Sequence, residues 1–161
     1  MKLTAWRLVH SKYLNKPLTG EGAQKSGGRW NHKGTPIIYA AQAISLSVLE
    51  ILARILDSGD LKHYRFRSVE FDDSQVQRIE QSELSLNWNS LPPTNETKDI
   101  GNEWAKSNQS LILAVPSVII PIECNYLINP SHPEFRSLVI HTNKVKFDFD
   151  QRLLSFHRIT A

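Results

Sequence analysis

Three short motifs place an arginine, a glutamate and a serine where each could contact a ligand. In the run Gly27-Gly28-Arg29-Trp30-Asn31, two glycines permit a tight turn that would present the guanidinium of Arg29. Arginine suits bidentate contact with phosphate or carboxylate. Glu50 lies on the polar face of a helical pattern. Ser117 follows Pro116, which breaks a strand, and could turn its hydroxyl or its backbone N–H into a cleft.

Each position also has a purely structural explanation. Arg29 could be a solvated arginine on a surface turn, and Ser117 a turn residue, since no nucleophile elbow or evident base accompanies it. Glu50 and Arg54 have the spacing of a solvated helical ion pair, which contributes a few tenths of a kcal/mol. Leu46, one turn earlier, points in nearly the same direction as Glu50, so we expect that face to be partly covered.

Familiar cofactor and metal motifs are absent from the sequence. It contains no Walker A run, no GxGxxG and no HExxH, so neither a P-loop nor a dinucleotide-binding fingerprint is supported. The six histidines show no metal-ligand spacing, and we predict no metal site. Cys124 is the single cysteine, which excludes an intramolecular disulfide, and we expect it to be a small buried side chain.

Length and composition predict a soluble globular protein with one domain over residues 1–161. Apolar residues make up 40% of the 161 residues and charged residues 22%, and the mean hydropathy is −0.33. No apolar run reaches the roughly 18–20 residues of a membrane span, and the N-terminus lacks the apolar region of a signal peptide. These features favour a cytoplasmic location. The net charge of +3 permits an anionic ligand without requiring nucleic acid.

Hydrophobic periodicity predicts an α+β fold with a largely antiparallel or mixed sheet. We expect helices at 44–56 and 100–108, an irregular glycine-rich segment at 14–36 and a long loop at 87–99. A phase change near Ser68 predicts a bulge or bend in one strand. The expected strands are 3–10, 36–41, 64–71, 111–115 and 118–122, followed by a hairpin of 138–141 with 145–149.

Taken together, these motifs resemble the RES domain family, the toxins of RES–Xre toxin–antitoxin pairs. The family takes its name from an Arg, a Glu and a Ser, which match Arg29, Glu50 and Ser117 here. Further matching runs are Trp6-Arg7-Leu8, Gly101-Asn102-Glu103-Trp104 and Asn129-Pro130-Ser131-His132-Pro133. The resemblance therefore covers nearly the whole chain, and the order and spacing of its short pieces are fairly specific.

The resemblance implies a compact fold like that of ADP-ribosyltransferase toxins and an enzyme that destroys cellular NAD. The nicotinamide–ribose bond would be cleaved, with water or inorganic phosphate as acceptor. NAD would be a substrate, and no cofactor would be needed. The implied partner is an Xre-type helix-turn-helix antitoxin that blocks the cleft. The toxin would form a homodimer within the complex and reach DNA only through the antitoxin.

The resemblance also implies roles for individual residues. Arg7 and Arg29 would hold the pyrophosphate, and Tyr39 would stack on nicotinamide or ribose and exclude water. Glu50 would accept a hydrogen bond from a ribose hydroxyl and stabilise positive charge on the sugar. Ser117 would hydrogen-bond near the nicotinamide or a phosphate. The implied catalytic residues are Glu50, Arg29 and Tyr39, and the implied substrate-binding residues are Arg7, Arg29, Trp30, Asn31, Tyr39 and Ser117, with His32 as a neighbour.

Two other functions remain open at this point. One branch of similar proteins is linked to ADP-ribosylation of a protein target, so the same pocket could serve a protein-directed ADP-ribosyltransferase. The second alternative is a non-catalytic module that binds a nucleotide or an operator. The modest charge and the lack of a helix-turn-helix pattern argue against direct DNA reading.

Overall fold

A computed structural model describes residues 1–142 and 148–155, and its strands form one seven-stranded sheet. The strands are β1 (Lys2–His10), β2 (Ile38–Ala41), β3 (Tyr64–Asp72), β4 (Val76–Arg78), β5 (Ile112–Pro116), β6 (Cys124–Ile128) and β7 (Val139–Thr142). Their order across the sheet is β4-β5-β6-β2-β1-β3-β7. The β4–β5 pair is parallel and the other pairs are antiparallel, which confirms the predicted α+β class with a mixed sheet.

Three α-helices accompany the sheet in the described part of the chain. They are α1 (Glu21–Ser26), α2 (Ile44–Leu52) and α3 (Asn95–Ser107), and short 3-10 helices join several elements. Within residues 1–142 and 148–155, every helix is too short or too polar to cross a membrane.

Side chains of the central strands alternate between two apolar cores, one on each face of the sheet. On one face Ile112, Ala114, Tyr126 and Ile128 pack with Phe71. On the other, a second set packs against a cluster of three tryptophans: Leu113, Val115 and Leu127 with Trp30, Trp88 and Trp104. Because β5 is buried on both faces, its sequence is a continuous apolar run rather than an alternating one.

Helix α2 packs on β1 and β3 near Leu8 and Phe66. It is shorter than the predicted helix over 44–56. Its Val48 joins Leu8, Leu61 and Phe66 in a third core. Leu46, on another side, is only 1% exposed. Since α2 is covered on more than one side, the expected partial cover over the face of Leu46 and Glu50 is confirmed.

Two sequence predictions about strands are wrong, and a third falls largely on residues outside the description. β1 and β3 pair in an unbroken register from Lys2↔Asp72 to His10↔Tyr64, so no bulge occurs at Ser68. Residues 118–122 form bends and turns, and the strand that follows Pro116 is β6 instead. Strand β7 pairs with β3, and the expected hairpin of 138–141 with 145–149 stays a prediction, because its second strand lies largely outside the described residues.

Two segments predicted to be irregular contain helix. Helix α1 lies inside the glycine-rich segment, where Gly20 adopts a positive φ of 72° at the N-cap and Glu21 pairs with Lys25 one turn apart. Helix α3 begins within the expected 87–99 loop, because its buried stripe of Thr97, Gly101, Trp104 and Ala105 anchors a polar segment to the core.

The contact between α3 and the glycine-rich segment depends on Gly101. A Cβ at this position would lie 1.8 Å from the backbone oxygen of Trp30. Only glycine therefore lets the helix backbone approach the segment that carries Arg29 and Asn31 so closely.

We expect Gly101→Ala to lower the free energy of unfolding by about 3 kcal/mol or more, because helix and segment must separate. Gly22→Ala is the matched control, since Gly22 also lies in a helix and a Cβ there meets nothing within 4 Å. Urea unfolding monitored by tryptophan fluorescence measures both. Equal midpoints for the two variants would contradict the close approach.

Candidate active site

A cleft of about 1540 Å³ gathers most of the predicted site residues. Its walls come from β1, the glycine-rich segment, β2, the C-terminal end of α2 and the β5–β6 connection. Arg7, Arg29, Trp30, Asn31, Tyr39 and Glu50 all line it. Ser117 is fully buried behind the wall, between Pro116 and Val118. A smaller cavity of about 660 Å³ elsewhere contains none of these residues.

Glu50 is half-buried, and two side chains donate hydrogen bonds to the same carboxylate oxygen. The Oγ of Ser117 lies 3.1 Å from Oε1, and the Nδ2 of Asn125 lies 2.5 Å from it. Within the described residues, no group donates a hydrogen bond to Oε2. The carboxylate is therefore fixed through one oxygen, while the other is left for a ligand in the cleft.

The direction of the Ser117 hydrogen bond follows from its other partners. The backbone N–H groups of Ile119 and Ile120 both donate to Oγ, at 3.1 and 3.3 Å. With two donors on its lone pairs, the hydroxyl can only give its single proton to Glu50. The turn at 117–120 therefore orients Ser117 as a donor to the carboxylate, so the predicted contact of Ser117 with substrate stays a prediction.

Glu50 and Arg54 do not form the ion pair that their spacing suggested, as far as the described residues show. Helix α2 ends at Leu52, and the N–H of Arg54 bonds to the Ile51 carbonyl in a tighter turn. The Arg54 side chain is exposed and lines the cleft separately. The carboxylate of Glu50 consequently takes its partners from β6 and the β5 end, not from its own helix.

Tyr39 and Asn31 tie the glycine-rich segment to the sheet. The Tyr39 hydroxyl donates to Oδ1 of Asn31 at 2.7 Å and accepts from the N–H of Trp30 at 3.1 Å. Burial raises the pKa of Tyr39 above its ordinary value, so the hydroxyl keeps its proton at neutral pH. A Cβ at Gly28 would lie 2.7 Å from that hydroxyl, so the glycine before Arg29 makes room for this bond.

Trp30 and Asn31 are buried, and His32 forms a surface contact with α3. Trp30 is 3% exposed and packs in the tryptophan core, while Asn31 is fully buried. The Nδ2 of Asn31 donates to the carbonyls of Ala23, His32 and Thr35 at 2.9 to 3.1 Å. His32 pairs with Asp99 at 2.6 Å. Direct substrate contact by Trp30 and Asn31 stays a prediction, and their observed role is to hold the segment that carries Arg29.

Arg29 projects from that segment toward the 88–90 loop. Its Nη1 donates to the carbonyls of Trp88 at 2.8 Å and Ser90 at 3.0 Å. Burial lowers the pKa of Arg29, and the nearby Glu50 carboxylate and Tyr39 oppose that shift. The guanidinium thus lines the cleft with Nη1 bound to the loop, and its other nitrogens have no hydrogen-bond partner among the described residues.

Arg7 approaches the cleft from β1. Its Nη1 donates to the carbonyl of Tyr39 at 2.5 Å, which links β1 to β2 where they share only the Trp6↔Ala41 pair. Burial lowers the pKa of Arg7 to about 10, and Arg54 and Arg67 contribute to the shift. Arg7 therefore remains a cation at neutral pH.

Three cleft residues were missed by sequence reasoning: Asn125, Arg54 and Arg67. Asn125 lies in β6, opposite Val115 of β5, and the wrong strand at 118–122 concealed that register. Arg67 lies directly opposite Arg7 in the β1–β3 pair. The two strands have the same length, so aligning them end to end in antiparallel register could have revealed this pairing. Arg54 was considered only as a partner of Glu50.

Positive charge is concentrated in the cleft. Eight lysines and arginines line it against two glutamates, although the net charge of the chain is only +3. The cations are Arg7, Lys16, Lys25, Arg29, Lys33, Arg54, Arg67 and Lys98, and the acids are Glu21 and Glu50. The arrangement suits an anionic ligand with a cationic or developing positive centre near Glu50.

Comparison with known proteins establishes the family. A family model described as the RES domain matches residues 4–150, which is most of the chain. The chain belongs to the RES domain family. The residues that suggested this family thus correctly predicted it, and Glu50 and Ser117, two of the three that name it, are in contact.

Relatives of this RES-domain chain align with it along nearly their full length. "Toxin Res" of Yersinia enterocolitica is 41% identical over 148 residues, covering 92% of this chain and 97% of the relative. "Prs ADP-ribosylating toxin" of Sphingobium sp. is 35% identical over 161 residues, covering 96% and 98%. The chain therefore aligns with nearly the whole length of both named toxins.

A solved structure shares the fold. The M. tuberculosis MbcT–MbcA toxin–antitoxin complex contains a chain that superposes with a TM-score of 0.71 at 18% identity, over 88% of this chain and 82% of that one. This likeness shows that the RES-domain chain shares its fold with a chain of that toxin–antitoxin complex.

We expect Tyr39→Phe to lower the free energy of unfolding by about 1–3 kcal/mol, because Asn31 and the Trp30 N–H lose a buried partner. Tyr13→Phe is the matched control, since Tyr13 is 45% exposed and its change should stay within about 0.5 kcal/mol. Urea unfolding measures both. Indistinguishable stabilities would mean that the hydroxyl does not hold the segment.

Proposed function

We propose that this RES-domain protein is the toxin of a toxin–antitoxin pair and that it depletes NAD by cleaving the nicotinamide–ribose bond. The acceptor is water or inorganic phosphate, NAD is a substrate, and the reaction needs no metal or further cofactor. The observation that carries the proposal is the Glu50 carboxylate, held on Oε1 by Ser117 and Asn125 and open on Oε2 within a cationic cleft.

The chemistry of the bond fits one fixed carboxylate. When the C1′–N bond breaks, its electron pair leaves with nicotinamide, which becomes neutral, and positive charge develops on the ribose. A carboxylate that accepts a hydrogen bond from a ribose hydroxyl stabilises that charge without rearranging. Water or phosphate then adds to C1′, and a proton is released when water is the acceptor. Oε2 of Glu50 is the oxygen free for this role.

The remaining cleft residues suit the rest of the dinucleotide. The diphosphate carries about two negative charges, which arginines bind through charge-assisted hydrogen bonds. Arg7 and Arg29 both line the cleft. The ring of Tyr39, whose hydroxyl is fixed by Asn31, offers an aromatic surface for the nicotinamide or ribose.

A protein-directed ADP-ribosyltransferase is the second candidate function. The Sphingobium relative, 35% identical, is named an ADP-ribosylating toxin that acts on Prs. In this alternative the same carboxylate assists the same bond cleavage, and a protein side chain replaces water or phosphate as acceptor. A non-catalytic nucleotide-binding or regulatory module is the third reading, and the fixed carboxylate argues against it.

The proposed partner is an antitoxin. The structural relative is a toxin–antitoxin complex, and an open cleft of about 1540 Å³ provides a surface that a partner can block. We propose an Xre-type helix-turn-helix antitoxin, a toxin homodimer within the complex, and contact with DNA only through the antitoxin.

We expect Glu50→Gln to slow NAD loss by about 100-fold or more, because the charge that stabilises the ribose cation is removed. The glutamine oxygen can still accept from Ser117 and Asn125, so the fold is retained. The measurement is NAD consumption by purified antitoxin-free protein, with and without inorganic phosphate. A dependence of the rate on phosphate identifies the acceptor.

Glu103→Gln is the matched control, since Glu103 is exposed on α3 and does not line the cleft. Its activity should equal that of the wild type. Radiolabelled NAD separates the candidates, because label on protein indicates the protein-directed reaction. If well-folded wild type leaves NAD intact and labels no protein, the enzymatic proposal fails.

We expect Asn125→Ala to lower kcat about tenfold while KM changes less than threefold, because Asn125 positions Glu50 rather than binding NAD. In the Glu50→Gln background, the same substitution should have no further effect on kcat, as expected for residues that act as a unit. An undiminished effect in that background would show that Asn125 acts independently of Glu50.

A further inference from the structure

We propose that Arg7, Arg67 and Arg54 form an anion subsite within the cleft that, together with Arg29, binds the diphosphate of a dinucleotide. The proposal rests on the proposed NAD substrate for its ligand. Arg67 and Arg54 are new to the site, and the argument for them comes from the pairing of strands, from unused hydrogen-bond donors and from uncompensated charge.

Arg7 and Arg67 are direct neighbours across the β1–β3 pair. Like charges opposite each other in a sheet are destabilising. Arg67 is only 8% exposed, and Arg7 is half-buried. Within residues 1–142 and 148–155, no acidic side chain forms an ion pair with either. The strands therefore hold two adjacent cations with no counter-charge from the described protein.

Most of their donors are also unused. Arg7 donates from Nη1 to the Tyr39 carbonyl, while its buried Nε has no hydrogen-bond partner among the described residues. Arg67 donates from Nη1 to the Lys16 carbonyl at 2.8 Å and from Nε to Oγ1 of Thr142 at 3.2 Å. A guanidinium has more N–H donors than these contacts use. In both side chains, part of the guanidinium is bound to the protein, and the remaining N–H donors are available to a ligand.

Arg54 adds a third charge from the C-terminal end of α2. It is exposed, lines the cleft, and forms no side-chain hydrogen bond or ion pair within the described part of the chain. Burial first, then Arg54 and Arg67, lower the pKa of Arg7 to about 10. Three close cations, two of them withdrawn from water, are costly unless an anion joins them.

Arg29 has anchors of its own on another part of the cleft wall. Its Nη1 is bound to the carbonyls of the 88–90 loop. Arg7 is attached instead to the Tyr39 backbone and faces Arg67. A diphosphate has several oxygens and about two negative charges, more than a single carboxylate has. It can therefore accept hydrogen bonds from several guanidinium groups at once. Inorganic phosphate presents the same oxygens, so the two sources must be separated by experiment.

The test measures ADP-ribose and inorganic phosphate binding by calorimetry, together with KM and kcat for NAD. We expect Arg67→Gln and Arg54→Gln each to weaken ADP-ribose binding about tenfold or more and to raise KM by the same factor. The value of kcat should change less than threefold. Arg67→Lys should recover part of the affinity, because it keeps the charge without the planar donors.

Arg78→Gln is the matched control, since Arg78 lies on β4 at the other end of the sheet and pairs with Asp73. It should bind ADP-ribose like the wild type. Arg54→Gln keeps the test valid if Arg67→Gln fails to fold, because the Arg54 side chain holds no structural contact in the described chain. Unchanged ADP-ribose affinity in Arg54→Gln and any folded Arg67 variant overturns the proposal.

These measurements distinguish a dinucleotide diphosphate from inorganic phosphate as the ligand of the subsite. They also distinguish failure of the subsite from failure of the proposed NAD cleavage. A loss confined to inorganic phosphate assigns the subsite to the acceptor and overturns the diphosphate assignment. If the wild type consumes NAD while the variants bind ADP-ribose normally, the subsite alone fails. If the variants lose ADP-ribose while the wild type has no turnover, the subsite stands and the proposed reaction fails.

Discussion

The hydrogen bonds that Ser117 and Asn125 donate to one oxygen of Glu50 are the constraint on which the site depends. They bring together a residue from α2, one that directly follows β5 and one within β6. The antiparallel register of β5 and β6, with Val115 opposite Asn125, places the two donors side by side. Any shift of that register by one residue would turn Asn125 to the other face. The register of β5 and β6 therefore fixes the carboxylate as well as part of the core.

Around that carboxylate the protein arranges cations that its own acids do not neutralise. Of the two acids that line the cleft, Glu21 pairs with Lys25, while Glu50 forms no ion pair in the described part of the chain. Charge of one sign in a cleft raises the local concentration of an oppositely charged ligand and lowers the stability of the empty fold. Backbone carbonyls of Tyr39, Lys16, Trp88 and Ser90 offset part of that cost without cancelling the charge.

The sequence predicted those elements whose apolar residues follow a regular local pattern. It predicted β1, β3 and the start of α2, because their apolar residues repeat with the period of the element. It could not predict that α3 begins at Asn95, because only a few buried residues hold this otherwise polar helix on the core. Nor could it predict the turn at 117–120, which depends on hydrogen bonds from two backbone N–H groups to the Ser117 hydroxyl. Glu50 and Arg29 were found from their motifs, whereas Asn125 and Arg67 needed strand register, which is a long-range property.

One edge of the Arg29 guanidinium donates hydrogen bonds to the carbonyls of Trp88 and Ser90. The rest of the group lines the cleft. A planar group with donors on separate edges can do both at once, whereas the point charge of a lysine cannot. Under the proposed function, one side chain would therefore hold the 88–90 loop and bind the ligand. An inactive variant at position 29 would then report on that loop as much as on chemistry, so genetic screens that score this arginine as catalytic would measure the sum of two effects.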